Sequence, residues 1–445
     1  MTRDRSPAPP HAWIAAALLG AVLAAAPATA QEPGDSLPVY ALDSLIVSVL
    51  RTPIVVGEAA YPVSVVGEEA LRRGKTGAFL EEALGGVPGV QIQNRYNWSL
   101  GERIAIRGFG ARAQFGVRGI RLVVDEIPAT FADGQSSLDH LDVGALGRVE
   151  VLRGPASALY GNAAGGVIRF ETRPPPPVTL RQEAQIVGGG DGLLRLQSIT
   201  AGRAQGFGYH LSVESLDYDG YRSNPVGDDG AFGGATRRIV DGQVDFRAGD
   251  SRMRISLSAL DKDADNPGSL PDSLIAAGSR QAWGFNVIQD AGEEVQQGRL
   301  GVTWEGPLAG VRAEVSGYGI LRSLTNPIPP TIIELDRLAT GIRGQVRDRL
   351  ALGGVGLEWT AGASLDHQRD DRLNFENDGG EVGPITLDQL EEVRALAGYL
   401  QLNADPHPRL DVQGGLRYDH FRFEADDDFV AGNDPDDSGS RTMDA

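Results

Sequence analysis

The feature that most restricts the fold of this sequence is a regular alternation of short turns and long polar loops between period-two segments. Residues 311–322 (VRAEVSGYGILR) show the period: apolar or small residues at every second position alternate with polar ones. About eleven such segments lie between Gln182 and Phe423. After a first hairpin at 188–192, short turns at 204–206, 248–250, 306–309, 351–353 and 406–408 alternate with loops at about 218–237, 261–294, 323–338 and 367–394.

This alternation predicts a mainly β fold, a transmembrane antiparallel β-barrel. Such barrels have short turns on one side of the membrane and longer loops on the other, and their strands place one face in lipid and one in a polar lumen. Closure leaves no strand edge whose backbone groups would lie unpaired in lipid. A soluble β-sandwich is the alternative, but it offers no reason for the alternation.

The N-terminus predicts export. Arg3 and Arg5 precede an apolar run of about 14 residues, which ends in an A-x-A motif at Ala30. We interpret residues 1–30 as a signal peptide, because a membrane-spanning helix needs about 20 apolar residues. A retained anchor is the alternative.

Composition excludes several classes of function. A net charge of −19 argues against a nucleic-acid surface, and the absence of cysteine rules out disulfides and thiolate metal sites. No HExxH, GxSxG or nucleophile–base motif occurs, so we predict no enzyme, no cofactor and no metal site. The loop 261–272 (DKDADNPGSLPD) has acids spaced as in an EF-hand, but it lacks the central glycine and flanking helices, which favours a solvated loop over a Ca²⁺ site.

The region before the prolines at 174–177 resembles a known domain. Its motifs are VPGV at 87–90, IRGFG at 106–110, GIRLVVDEIPAT at 119–130 and VEVLRGPASALYGNAAGGVI at 149–168. They resemble, in order and spacing, the plug domain of TonB-dependent outer-membrane receptors. Residues 94–122 and 127–135 are most similar to ferric-dicitrate-type and pyrroloquinoline-quinone receptors. The resemblance implies an outer-membrane location in a Gram-negative-type bacterium.

The resemblance also implies a domain order and a strand number. We expect a signal peptide at 1–30, a periplasmic leader with a TonB box at 31–52, a small α/β plug in the lumen at 53–175 and a barrel from 178 to 445. The family's barrels have 22 strands, whereas about 11 are present. Because the chain ends in an acidic stretch (425–445) that reads as a loop with no further strand, we expect a fragment of a longer barrel.

The glycine-rich stretch at 150–170 (EVLRGPASALYGNAAGGVIRF) is predicted to be plug scaffold. It lacks the Lys-Ser/Thr of a phosphate-binding loop. We expect a turn at Gly-Pro, a short helix that the proline opens, a left-handed stop at Gly-Asn, and small residues for close packing. The residues assigned structural roles in the plug are Arg107, Gly108, Glu150, Arg153, Gly154, Pro155, Tyr160, Gly161, Asn162, Gly165 and Gly166.

A second short segment resembles the TonB box. It comprises Asp43, Ser44, Leu45, Ile46, Val47, Ser48 and Val49, which are rich in β-forming residues. Since an outer membrane has no energy source of its own, such a segment would be grasped through strand addition by a TonB-type protein of the inner membrane. An ordinary plug edge strand is the alternative.

The resemblance implies a receptor for active uptake of a scarce ligand, expected to be a ferric siderophore or similar iron chelate. The alternatives are a receptor for a non-iron ligand such as pyrroloquinoline quinone and a barrel that binds without energised transport. The partners would be outer-membrane lipid and a small ligand, and no nucleic acid is expected. The candidate ligand residues lie on two plug loops and are Arg95, Tyr96, Asn97, Trp98, Asp133 and Gln135.

Overall fold

A computed structural model describes residues 45–445, except 94–95, 114–115, 228–229, 408 and 430–435. The predicted signal peptide and most of the leader, including Asp43 and Ser44, lie outside the described residues, as does Arg95. No helix among the described residues is long and apolar enough to cross a membrane.

The N-terminal region of the described chain is built on a small mixed sheet. Its order is β3-β10-β11-β7-β8, in which β11 and β7 run parallel and the other pairs are antiparallel. Short α-helices lie at Glu68–Arg72, Leu80–Leu84 and Ser157–Tyr160. The strands of the region are β1 (Ile46–Val47), β2 (Ile54–Val55), β3 (Val63–Gly67), β4 (Val90–Gln93), β5 (Arg103–Ile106), β6 (Val117–Arg118), β7 (Ile120–Val124), β8 (Ile127–Pro128), β9 (Gln135–Ser136), β10 (Leu146–Arg153) and β11 (Gly166–Thr172).

Alternating apolar residues give this sheet its core. Val149 and Val151 on β10 and Ile168 and Phe170 on β11 are all fully buried, in one cluster with aliphatic residues of β5 and β7. β-branched side chains suit this environment because they pack well on a pleated surface. The small sheet therefore has its own hydrophobic core, as a plug domain would.

The remainder of the chain forms one antiparallel sheet of twelve strands, which we call the barrel wall. Each strand pairs with the next along the chain, apart from a local hairpin of β15 (Arg222–Ser223) and β16 (Ala231–Phe232). The wall strands are β12 (Arg181–Gly188), β13 (Leu194–Ala204), β14 (Phe207–Tyr218), β17 (Ala235–Ala248), β18 (Ser251–Asp265), β19 (Gly292–Leu308), β20 (Val311–Ile328), β21 (Thr331–Leu352), β22 (Val355–Asp378), β23 (Glu381–His407), β24 (Leu410–Asp427) and β25 (Gly439–Asp444).

The two faces of the wall have opposite polarity. On β18, Ser256 and Ser258 are buried on the plug side, whereas Leu257 between them is 55% exposed. The same apolar exposure recurs on neighbouring strands, for example at Leu300 and Leu321. An apolar outer face and a polar inner face are what a lipid-embedded barrel requires. The fold expected from the sequence is confirmed at this level.

The two ends of the wall differ. At one end, which we call the turn end, two-residue connections join β13 to β14, β17 to β18, β19 to β20, β21 to β22 and β23 to β24. At the other, the loop end, the connections at 219–234 and 266–291 are long, and the second carries short helices at Asp272–Ala276 and Gly284–Ile288.

Two of the predicted long loops are wrong. Residues 323–338 and 367–394 form long hairpins with tight turns at 329–330 and 379–380, so β20 to β23 extend well past the rest of the wall. The predicted loop at 261–294 is also shorter, because β18 continues to Asp265 and β19 begins at Gly292. These segments were read as loops because they are polar. Paired strands satisfy their own backbone groups, so strands that extend into water need no apolar face.

The expectation that no strand follows β24 is also wrong. Residues Gly439–Asp444 form β25, which pairs antiparallel with β24 over His420–Ala425. Its sequence, GSRTMD, is polar and its residues are exposed, so the pattern that marks a half-buried strand is missing. The eleven strands predicted between 182 and 423 are present, and β25 makes twelve.

The first prediction concerns the glycine at the start of β11. Gly166 has φ of +139°, and a Cβ there would lie 2.2 Å from the carbonyl oxygen of Leu152. Gly166→Ala should therefore lower the free energy of unfolding of the plug by about 1–3 kcal/mol. Urea unfolding in detergent micelles measures this. Gly188→Ala on β12, where a Cβ meets nothing within 4 Å, is the matched control and should differ little from wild type. Equal midpoints for the two variants would contradict the prediction.

Candidate functional site

A cavity of about 410 Å³ lies between the plug loops and the inner face of the barrel wall. Asn326 and Ile328, beside the hairpin tip at 329–330, border it, which places it at the loop end. We call this cavity the outer vestibule. Its polar lining comprises plug residues Ser99, Glu102, Arg118, Gln135, Ser136, Ser137 and Asp139 and wall residues Glu293, Arg322, Asn326, Arg337 and Arg372.

Four guanidinium groups line the outer vestibule, and three of them are paired with carboxylates. Arg337 is neutralised by Asp370, with nitrogen–oxygen distances of 2.7 and 2.6 Å. Arg372 lies 3.3 Å from Glu391. Arg118, in contrast, donates to a backbone carbonyl and to the Gln135 amide oxygen, and pairs with no carboxylate in the described part of the chain. A guanidinium that faces a cavity without a carboxylate partner can take a carboxylate or phosphate of a ligand in a bidentate pair.

A buried ion network forms one side of the vestibule. Asp139 accepts from Lys262 Nζ at 3.0 Å and from Arg322 Nη2 at 2.9 Å, and Glu293 also pairs with Lys262. Burial alone would raise the pKa of Asp139, but the two cations outweigh it and hold that pKa well below its usual range. Asp139 therefore stays ionised and joins the plug to β18 and β20.

Glu102 lies beside this network. Its Oε2 is buried with no hydrogen-bond partner, and burial raises the pKa of the carboxyl to about 7, against the attraction of Arg237. A carboxyl poised near neutrality at a cavity wall is a common feature of binding sites, because its charge responds to whatever enters.

Most of the described ligand candidates belong to packed structure rather than to the vestibule lining. Trp98 packs on Phe79 with ring centroids 5.3 Å apart. Tyr96 packs edge-on against Phe79 at 5.4 Å, and Asn97 donates to the Asn266 side chain at 3.0 Å. Only Gln135 lines the vestibule itself.

The other plug-loop candidate, Asp133, points to the wall. Its Oδ2 lies 3.4 Å from Arg337 Nη2, and its backbone N–H donates to Gln368 at 3.2 Å. The vestibule arginines on the wall were not singled out from the sequence. Arg322 directly precedes the predicted loop 323–338 and Arg337 lies within it. Only their alternation with Leu321 and Leu338 could have marked them as inward-facing.

The described part of the predicted TonB box lies at the opposite end of the plug. Ile46 and Val47 pair antiparallel with Val55 and Ile54, and Val47 and Val49 are fully buried. Just beyond the segment, the Thr52 hydroxyl lies 3.0 Å from that of Thr360, which follows the turn at 353–354 by a few residues. The segment is therefore docked near the turn end.

One carboxylate binds the backbone of the docked segment. Glu150 Oε2 accepts from the backbone N–H groups of Ser48 at 3.0 Å and Val49 at 2.8 Å. Arg148 donates to Oε1 of the same carboxylate at 2.8 Å and also contacts the carbonyl of Ile46. Glu150 is 1% exposed, so these bonds satisfy a buried charge.

The other residues of the glycine-rich stretch adopt tight conformations. The helix Ser157–Tyr160 ends at Gly161 with φ of +63°, and Asn162 follows at +40°. The expectation that Pro155 opens this helix is wrong, because the helix begins two residues later at Ser157. The backbone N–H groups of Gly154 and Ala156 donate to the carbonyls of Gly165 and Ala163, which holds this stretch outside the helix.

The remaining charged and glycine residues of the predicted scaffold stay within the plug or touch the wall. Arg153 Nη1 donates to the carbonyl of Pro88 at 2.9 Å, and the Arg107 backbone N–H donates to that of Gly89 at 2.8 Å. Arg107 and Gly108 both have positive φ, at +50° and +86°. A Cβ on Gly165 would meet Phe109 at 2.6 Å, so that glycine allows close packing.

A second buried network anchors the plug to the wall. Asp142 accepts from Gln197 Nε2 at 2.8 and 2.7 Å and from the Ser212 hydroxyl at 2.5 Å. Arg195 lies between Asp142 and Glu214, with a nitrogen 2.7 Å from Glu214 Oε2. Arg237 holds the other oxygen of Glu214 at 2.6 Å. Sequence inspection did not identify this anchor.

No cluster of three or more metal-ligating side chains occurs among the described residues. The acidic segment 261–272, considered for Ca²⁺, is fully described. Asp261 and Asp263 project from the outer face of β18, whereas Lys262 between them is buried on the inner face.

Two family models match the chain. The TonB-dependent Receptor Plug Domain matches residues 56–167, and the TonB dependent receptor-like, beta-barrel model matches residues 201–443. Among solved structures, the unliganded ferric citrate transporter FecA superposes with a TM-score of 0.73 at 19% identity, covering 88% of this chain and 60% of that one. The ferric yersiniabactin uptake receptor FyuA from Yersinia pestis gives 0.65 at 19% identity, covering 86% and 60%. At these identities the likeness is one of fold.

Curated relatives match a shorter segment. The vitamin B12 transporter BtuB of Vibrio vulnificus (strain CMCP6) is 28% identical over 131 residues, which is 29% of this chain and 20% of that protein. A hemin receptor of Yersinia pestis is 30% identical over 134 residues, 30% of this chain and 19% of that protein. The chain thus matches about a fifth of the length of these relatives and 60% of the two solved structures. These relatives are transporters and receptors rather than enzymes.

Proposed function

The chain belongs to the TonB-dependent receptors of the outer membrane, and on that premise we propose that it serves energised uptake of an anionic ligand, a ferric chelate before others. One observation carries the proposal. The outer vestibule at the loop end and the docked segment Leu45–Val49 near the turn end lie on opposite sides of one plug. A ligand that enters from outside and a partner that pulls from inside would thus act on the same domain.

The charge of the vestibule supports an anionic ligand. Four arginines and three acids line it, and Arg118 has no carboxylate partner among the described residues. Because Asp370 and Glu391 already pair with Arg337 and Arg372, the attraction for a carboxylate of a ferric chelate would come from Arg118. The names of relatives also include vitamin B12 and hemin, so the wider ligand class is that of large scarce nutrients.

The proposed partner is a TonB-type protein of the inner membrane. Strand addition needs a segment with free backbone groups, and β-rich residues 43–49 would supply it once they leave the plug. In the docked state Ile46 and Val47 pair with β2, so the partner would bind only after release of the segment.

The proposal is tested by removing the segment. Deletion of residues 43–49 from the full-length receptor should reduce uptake of radiolabelled ferric citrate, hemin or cyanocobalamin, whichever the wild type imports, by at least ~10-fold. Binding of the same probe to intact cells should remain, because the vestibule lies at the other end of the plug. Unchanged uptake in the deletion would overturn energised transport and favour a barrel that only binds.

A point variant refines this test. Val47→Pro removes a backbone N–H and disfavours pairing, whereas Val47→Ile keeps a β-branched side chain and the N–H. We expect uptake to fail in the first variant and to persist in the second.

A further inference from the structure

A second, smaller cavity lies between the plug and the barrel wall. It has a volume of about 40 Å³. We call it the inner chamber, and six of its lining residues matter here: Arg51, Arg121, Tyr160, Arg343, Tyr399 and Arg417. Phe131 lines both the inner chamber and the outer vestibule, so the two cavities adjoin at this residue.

The inner chamber holds more cationic than anionic groups. Its lining includes four arginines, and three acids, Glu314, Asp366 and Asp419, so the formal charges sum to +1. Arg417 forms an ion pair with Asp419, in which Nη2 lies 2.7 Å from Oδ1. Asp366 is engaged by the Tyr318 hydroxyl at 2.6 Å and lies 3.8 Å from Arg343.

Two guanidiniums make no direct ion pair among the described residues, although Glu314 and Glu126 attract Arg51, and Asp366 attracts Arg121, at longer range. None of the ion pairs among the described residues includes Arg121 or Arg51, and the Nε atoms of Arg121, Arg51 and Arg343 are buried without a hydrogen bond. Arg51 instead stacks over the Tyr160 ring, 3.9 Å from its centroid. Each of these three guanidiniums therefore has one buried N–H donor, at Nε, whose hydrogen bond is unmade.

An unpaired buried cation is costly, because it has left water without a compensating charge. Burial, together with the neighbouring guanidinium of Arg343, lowers the pKa of Arg121 to about 10. An anion in the chamber would compensate the buried charge and raise the pKa of Arg121 again.

We propose that the inner chamber is an anion-binding site in which Arg121 and Arg343, supported by Arg417, hold a carboxylate or a tetrahedral oxyanion. The site rests on the proposed function, since its physiological occupant would be a carboxylate arm of the imported chelate. The volume suits one such group, because a single water needs only about 10–15 Å³ by the same measure.

The position of the chamber gives the site a consequence for transport. A ligand arm reaches it from the outer vestibule when Phe131 moves aside. Arg51 faces the chamber, and its backbone N–H donates to the Ser48 carbonyl at 3.0 Å, inside the docked segment. An anion that attracts Arg51 away from the Tyr160 ring would therefore pull on the residues that Glu150 holds.

The site can be located directly. Crystals of the full-length receptor soaked in selenate, a tetrahedral dianion with an anomalous signal, should show a peak in the chamber within hydrogen-bond distance of Arg121 and Arg343. A chamber without a peak at saturating selenate, or a peak confined to the outer vestibule, would overturn the proposal.

Calorimetry with citrate on the purified receptor gives the affinity. Arg121→Gln should weaken citrate binding by at least ~10-fold, since it removes a charge-assisted pair, and Arg121→Lys should weaken it less. Arg349→Gln, on an arginine 80% exposed at the turn end, is the control and should bind as wild type, and Arg372→Gln tests the outer vestibule. Loss in Arg372→Gln but not in Arg121→Gln would place the anion in the vestibule and contradict the proposal.

These measurements need neither uptake nor a partner. A receptor that binds selenate in the chamber but imports nothing would support this site and contradict the proposed function. A receptor that imports the ligand but binds no anion in the chamber would support the proposed function and contradict this site. If Arg121→Gln does not fold, the selenate map of the wild type and the Arg343→Gln variant decide.

Discussion

Glu214→Ala is expected to lower the free energy that holds the plug in the barrel by about 3–5 kcal/mol. Glu214 is fully buried and bonds Arg195 and Arg237 with its two oxygens. Arg195 is also fully buried, so the substitution leaves it with only Asp142, at 3.3 Å, as an anionic partner. The cost arises from two buried cations that lose their compensating charge, rather than from the loss of favourable contacts alone.

The effect should appear as selective unfolding of the plug. Differential scanning calorimetry in detergent micelles should show the plug transition at a lower temperature while the barrel transition is retained. In planar bilayers the variant should open to ion current at a lower urea concentration than the wild type, because the lumen clears when the plug unfolds.

A surface pair provides the control. Glu392 and Arg394 on β23 lie 2.8 Å apart, and Arg394 is 56% exposed. Glu392→Gln should change the unfolding free energy by less than about 1 kcal/mol, since exposed pairs contribute little. If Glu214→Ala shifts the plug transition no more than this control does, the anchor is not where the plug is held.

Some strands of the wall could be predicted from local residue patterns, and others could not. The strands of the membrane band were predictable because one face must be apolar, as the alternation of Ser256, Leu257 and Ser258 illustrates. That requirement ends where the wall leaves the lipid. The hairpins at 323–338 and 367–394 and the strand Gly439–Asp444 lack a continuous apolar outer face, and pairing with a neighbour distinguishes them from loops.

Sites between the plug and the wall were less predictable for a related reason. Asp142 and Glu214 meet through Arg195, although 72 residues separate the two acids in sequence, and Arg121 reaches Arg343 only because the plug lies within the wall. The sequence pattern identifies each of these residues only as a charged residue. Which charge it faces depends on registers that the sequence pattern does not encode.

The docking of the predicted TonB box depends on Glu150. In Glu150→Gln we expect amide hydrogen exchange of Ser48 and Val49 to accelerate by roughly 100-fold, which corresponds to about 2.7 kcal/mol of lost protection at 1.36 kcal/mol per tenfold. The neutral amide loses the charge-assisted character of both bonds. In either orientation of the amide, its NH₂ group lies against N–H donors, from which it cannot accept a hydrogen bond.

The readout is peptide-level exchange over residues 45–50 in the full-length receptor, together with binding of the periplasmic domain of the cell's TonB-type protein. Release of the segment should raise that binding, because strand addition needs the backbone groups that Glu150 occupies. Glu171→Gln is the matched control: Glu171 pairs with Arg169 on the same sheet but makes no bond to the segment.

Two outcomes distinguish a carboxylate that restrains the segment itself from one that supports only the fold of the plug. If Glu150→Gln accelerates exchange throughout the plug, the residue supports the fold as a whole, and the segment is released only as a consequence. If exchange rises at 45–50 alone and the control is silent, the carboxylate restrains the segment itself. The structure favours the second outcome, because Val149 and Val151 keep their places in the hydrophobic core whichever group stands between them, whereas Ser48 and Val49 lose their acceptor.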